Sequence, residues 1–148
     1  MTELFDDASA TPSHPIVGIG ASASAIEAIE GLFRGLSAHP GAALVLVTHV
    51  KSAREIALHA LIERFTPLPV ETAQNDTVLQ PNRVYVVPAG TVATMHMGAI
   101  RLRPEVDPTK TRNRIDTFFG SLAEDVGERA AGILLAGADS DGTLGIKA

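Results

Sequence analysis

The chain has 148 residues, of which 45% are hydrophobic and 20% charged, a balance that predicts one globular domain with a substantial core. Its net charge is −5, its Lys and Arg are scattered, and it has no cysteine. These features argue against nucleic-acid binding and exclude disulfides, thiolate zinc sites and a cysteine nucleophile.

The first fifteen residues are polar and aperiodic, which predicts a disordered tail, with one domain over 16–148. Ile-Val-Gly-Ile-Gly at 16–20 predicts a buried parallel strand. Ile26, Ile29, Leu32, Phe33 and Leu36 fall at helical spacing, so 25–36 is an amphipathic helix. Pro40-Gly41 ends that segment, and Ala42 to Thr48 is a second strand, continuously apolar as parallel strands are. A second helix is expected over 53–65, with Ile56, Leu58, Leu61, Ile62 and Phe65 on one side. Val70, Val84–Val87, Thr91–Met95 and Ala99–Arg103 are short runs punctuated by Pro and Gly, which predict a peripheral strand and an antiparallel hairpin. A helix over 115–126 should turn Phe118, Phe119, Leu122 and Ala123 inward, Ala131–Ala136 is a third buried strand, and a last helix begins at Gly142. Alternating strands and helices define the expected class: α/β, an open, mostly parallel, doubly wound sheet with helices on both faces and a peripheral hairpin.

The longest apolar stretch, Ala42 to Val47, is far short of the ~20 residues that cross a bilayer. The N-terminus is acidic where a signal peptide is basic. A cytoplasmic protein without direct membrane insertion is the expectation.

In doubly wound sheets ligands bind beyond the carboxyl ends of the strands. Three such loops carry Ser22, His49 and Asp141. A serine nucleophile needs a base, and the base needs a carboxylate to fix its tautomer, in any chain order. The turn at Ser22 also offers backbone N–H groups for an oxyanion, with Ala23 and Ala138 as candidate donors. Each residue has a plainer role available: Ser22 as a helix N-cap, His49 as a packed loop residue, Asp141 as a turn residue in Ser-Asp-Gly. Gly18-Ile-Gly20-Ala-Ser-Ala23 matches a dinucleotide fingerprint, yet the acidic residue expected roughly 20 positions on is missing. Asp139-Ser-Asp141-Gly142 lacks the preceding ligand of a calcium loop. Met95-His96-Met97 reads as hairpin, and His14, His39 and His59 have no ligand-like spacing, so neither metal nor cofactor is expected.

Ile-Val-Gly-Ile-Gly-Ala-Ser (16–22), His49, Pro-Asn-Arg-Val-Tyr-Val-Val-Pro (81–88), residues 115–125, Gly-Glu-Arg-Ala (127–130) and Ser-Asp-Gly-Thr-Leu-Gly (140–145) stand in order along the chain. In these blocks the sequence resembles the catalytic domain of CheB-type methylesterases, above all the form fused to a CheR-type methyltransferase. The resemblance implies a serine hydrolase that cleaves glutamate methyl esters on chemoreceptors and releases methanol; some members also deamidate receptor glutamines. It assigns the catalytic serine, histidine and aspartate to Ser22, His49 and Asp141. It implies methyl-accepting chemotaxis receptors as partners, with a CheR-type methyltransferase domain as a further one, and a catalytic domain incomplete at its C-terminus.

The chain departs from the family pattern at several positions. Ser24 and Ala25 stand where two glycines are usual, Asp139 where glycine precedes the aspartate, and Thr48 where glutamine precedes the histidine. Side chains at 24 and 25 crowd the backbone that approaches a substrate, and a carboxylate at 139 opposes developing negative charge. These departures carry a second reading, a catalytically degenerate module with a binding or regulatory role. Arg112, where the family often has arginine, is expected to shape the site or pair on the surface.

Overall fold

The computed structural model describes residues 14–22, 25–49, 52–106 and 113–135, with 52–56 described by backbone alone. The expected N-terminal tail, apart from its last two residues, and the helix expected from Gly142 lie outside these residues.

Among the described residues five strands form the main sheet: β1 (Ile16–Ala21), β2 (Ala43–Thr48), β3 (Val70–Thr72), β5 (Arg83–Val86) and β8 (Ala130–Leu135). Their order is β3-β5-β2-β1-β8 and every pairing is parallel. Parallel strands covered on both faces need apolar side chains at every position, not at alternate ones. Ala-Leu-Val-Leu-Val-Thr of β2 meets that demand, and all six of its residues are buried.

Helices α1 (Ile26–Arg34) and α2 (Ser52–Phe65) cover one face. Ile29 and Phe33 of α1 and Leu58, Ile62 and Phe65 of α2 pack there with Ile19, Leu44, Leu46, Val84 and Val86. Each such side chain contributes about 1.5–3 kcal/mol on burial. Helix α3 (Arg114–Val126) covers the other face, where Ile115, Phe118, Phe119 and Leu122 meet Ile16, Val45, Val47 and Tyr85. The doubly wound α/β class is therefore present, with helices on both faces.

A second sheet, antiparallel, with the order β4 (Thr77–Val78), β7 (Ala99–Pro104), β6 (Thr91–His96), lies against α3. Strands β6 and β7 join through Met97 and Gly98, both at positive φ (51° and 79°), the conformation that matches the twist of a two-residue hairpin. Methionine is costly in that conformation. Asp125 of α3 holds it: its carboxylate accepts the N–H of Met97 at 2.6 Å and of Gly98 at 2.8 Å. One turn earlier, Ser121 Oγ accepts the Met95 N–H at 2.9 Å.

The structure corrects several expectations. Of the runs read as a peripheral strand and a hairpin, Val70 begins β3 at the sheet edge, whereas Val84–Val87 contributes to β5, which lies inside the parallel sheet between β3 and β2. β4 is too short, at two residues, to announce itself in sequence. Ile26 is exposed rather than facing inward. β8 is partly rather than fully buried: Ala130, Ile133, Leu134 and Leu135 pack against the core, Ala131 and Gly132 are exposed, and among the described residues it pairs with β1 alone. An apolar run records a capacity for burial, and coverage depends on what packs over it.

Candidate active site

The strand order places β2 on one side of β1 and β8 on the other, so chain connections diverge at β1. The carboxyl end of such a strand opens a crevice between loops, the usual ligand position of this architecture. Ser22 is the first residue beyond β1, and His49 is the first beyond β2.

Their neighbourhood follows from register. Ala21 pairs with Thr48, the last partners of the β1–β2 ladder. Neighbouring strands lie about 4.8 Å apart, so the serine and the histidine leave the sheet side by side at the same edge. Both are partly buried. On the other flank of β1, Ala21 pairs with Leu135, so β8 ends at this edge too. Asp141, Ala138 and Ala23 lie outside the described residues, as does Arg112.

The N-cap alternative for Ser22 does not match the geometry. Helix α1 is capped at Ala25 and has no side-chain cap. Ser22 contributes its backbone carbonyl, which accepts the Ala25 N–H at 3.1 Å and closes the turn out of β1. The glycines of the fingerprint also have a structural reason. Gly18 and Gly20 face α3, and an ideal Cβ at Gly20 would lie 2.5 Å from Ile115 Cγ2, while one at Gly18 would lie 2.9 Å from Phe119 Cε1. Their absent side chains let α3 seat directly on β1, a role that requires no nucleotide.

Sequence reasoning missed Arg114, the first residue of α3, whose side chain is only 5% exposed. Its guanidinium donates to Thr48 O at 2.7 Å, to Thr91 O at 3.0 Å and, more weakly, to Pro88 O at 3.4 Å. The Glu105 carboxylate lies 3.9 Å from its Nε. A buried cation is tolerated only when its donors are met by such acceptors. Nothing in the local sequence announces this, because an arginine at a helix start reads as a surface residue.

A cavity of about 260 Å³ lies elsewhere, on the antiparallel sheet, lined by Asn75, Asp76, Thr94, Arg101, Leu102 and Arg103. Three of its polar side chains are engaged in the fold: Arg101 pairs with Asp76 at 3.0 Å, and Asn75 Oδ1 accepts the Leu102 N–H at 2.8 Å. Among the described residues no three His, Asp or Glu side chains could hold a metal ion, and no helix is long and apolar enough to cross a membrane.

A doubly wound α/β domain with a serine and a histidine adjacent at its switch point has the layout of a protein that acts on a ligand at the carboxyl edge of its sheet. Comparison with known proteins makes this specific. The chain belongs to the CheB methylesterase family, whose model matches residues 17–148. It is 36% identical over 137 residues to protein-glutamate methylesterase/protein-glutamine glutaminase 2 of Burkholderia pseudomallei strain 1710b, covering 90% of this chain and 40% of that protein. It is 37% identical over 144 residues to protein-glutamate methylesterase/protein-glutamine glutaminase 1 of Bordetella avium strain 197N, covering 95% of this chain and 42% of that one. The chain thus spans about 40% of the length of these relatives. The fold matches the crystal structure of the Thermotoga maritima CheB methylesterase catalytic domain with a TM-score of 0.76 at 22% identity, over 90% of this chain and 73% of that one.

Proposed function

We propose that the chain carries the catalytic centre of a serine hydrolase that removes methyl groups from glutamate methyl esters of chemoreceptors; its relatives are named protein-glutamate methylesterases. One observation carries the reading: the Ala21–Thr48 register, which sets Ser22 beside His49 at the switch point of a CheB-family sheet.

In this reading Ser22 Oγ attacks the ester carbonyl carbon while His49 accepts its proton. The negative charge on the carbonyl oxygen is held by backbone N–H groups at Ala23 and Ala138. His49 then returns the proton to the departing methoxide, releasing methanol and leaving an acyl-serine. Water, deprotonated by His49, attacks that acyl group; the bond to Ser22 Oγ then breaks, His49 returns the proton to that oxygen, and glutamate is left on the receptor. Asp141 accepts the other ring N–H of His49 and stabilises the imidazolium as it forms. The same steps with ammonia leaving would deamidate glutamine, as the second half of the relatives' names says of those proteins.

Methyl-accepting chemotaxis receptors are the proposed substrates and partners, a CheR-type methyltransferase domain is a further proposed partner, and the cytoplasm is the proposed location. The test is methanol release from methylated receptor membranes by this chain and by Ser22→Ala, with circular dichroism on the same samples. Release that disappears in the variant supports the esterase. A folded chain that releases nothing favours the degenerate module instead, with Ser24, Ala25 and Asp139 as the residues to revert.

A further inference from the structure

We propose that Arg114 is a positioning residue for His49, an inference that rests on the esterase reading of the site. Its guanidinium, at the start of α3, holds the peptide group that joins Thr48 to His49.

A peptide unit is planar, so Thr48 C and O and His49 N and Cα move as one body. A short bond of the guanidinium, 2.7 Å from Nη1, falls on the oxygen of that body. Fixing it fixes the Cα of His49 and hence the direction in which the imidazole leaves the sheet. The other side of the same guanidinium is anchored on separate elements, Thr91 at the start of β6 and Pro88 in the β5–β6 connection. Ile115, the next residue, presses on Gly20, two residues before Ser22. One turn of helix therefore references both ends of the proposed Ser–His pair to a common frame.

Arginine suits this task because its planar fork reaches several acceptors in fixed directions, whereas a lysine ammonium is a point charge on a flexible stem. The cation is almost fully enclosed and Glu105, 10% exposed, offsets its charge without displacing the bond to Thr48 O. A role limited to holding α3 against the antiparallel sheet would be met by the bonds to Thr91 and Pro88 alone. The bond to Thr48 O makes the contact specific to the histidine.

The experiment uses Arg114→Lys and Arg114→Met in the chain, with the competent fraction of each preparation counted by fluorophosphonate titration. Arg114→Lys is expected to lower kcat per titrated site about 10-fold and Arg114→Met about 100-fold, with KM within about two-fold, since small misplacements of a reacting group cost this much. In 15N NMR of Arg114→Lys, the amide and ring signals of His49 should shift and broaden, while amides of Leu44 to Leu46 keep their positions. Unchanged kcat per site with unchanged His49 signals overturns the proposal. So does loss of folding in both variants, which assigns the residue to structure alone. If the unaltered chain releases no methanol, the esterase reading fails, and the NMR comparison still decides whether Arg114 positions His49.

Discussion

Gly20 of β1 and Ile115 of α3 are in such close contact that an ideal Cβ on the glycine would sit 2.5 Å from Ile115 Cγ2. Gly20→Ala is therefore expected to overpack the helix–sheet contact and destabilise the fold by about 1–3 kcal/mol, measured by urea denaturation. Shortening the opposing side chain in Gly20→Ala/Ile115→Ala should give a cost smaller than the sum of the single changes, because the two residues share one space. Calorimetric titration with NAD should give no heat, since these glycines serve packing.

Asp125 provides a second test, at the hairpin. Its carboxylate accepts two backbone N–H groups, one of them from Met97 at a φ of 51°. Asp125→Ala removes both bonds and should cost about 1.5–3 kcal/mol. Hydrogen exchange is the sharper readout: protection at Met97 and Gly98 should fall first, with amides of β2 unchanged.

Tyr85 predicts an alkaline limb in stability. Burial pushes its phenol above the ordinary value, the N–H of Gln80 bonded to its oxygen at 2.8 Å lowers it, Glu71 raises it and Arg83 lowers it, for a net rise. A raised value in the folded state means that the native protein keeps this proton longer than the unfolded chain does. The contribution is complete below the unfolded value, about pH 10, and is lost as pH climbs through the folded one. Tyr85→Phe should flatten this limb in chemical denaturation at successive pH values. At neutral pH it should cost about 1 kcal/mol, the worth of an ordinary hydrogen bond.

What could be read from sequence follows from how local each signal is. β1 and β2 were legible because parallel strands buried on both faces leave continuous apolar runs. Ser22 and His49 were legible as positions, since each directly follows such a run. Their adjacency was not, because strand order is set by long-range pairing that no single segment encodes. β8 is as apolar as β1, yet Ala131 and Gly132 are exposed, since an apolar run does not say what covers a strand. Arg114 was invisible for a related reason: its carbonyl partners come from residues 48, 88 and 91, far from it in the chain. The Met97-Gly98 turn lacked the usual Asn-Gly signal and takes its support from Asp125 on another element.

The central claim is that Ser22 is a nucleophile activated by His49 at the carboxyl edge of the sheet. Incubation of the chain with a fluorophosphonate, followed by peptide mapping by mass spectrometry, measures this without any assumption about the natural substrate. The expected result is one phosphonyl group on Ser22, formed rapidly in the unaltered chain and at least ~100-fold more slowly in a folded His49→Gln variant, the scale of general-base catalysis. A folded chain that remains unlabelled at Ser22, or that labels equally fast without His49, would contradict it.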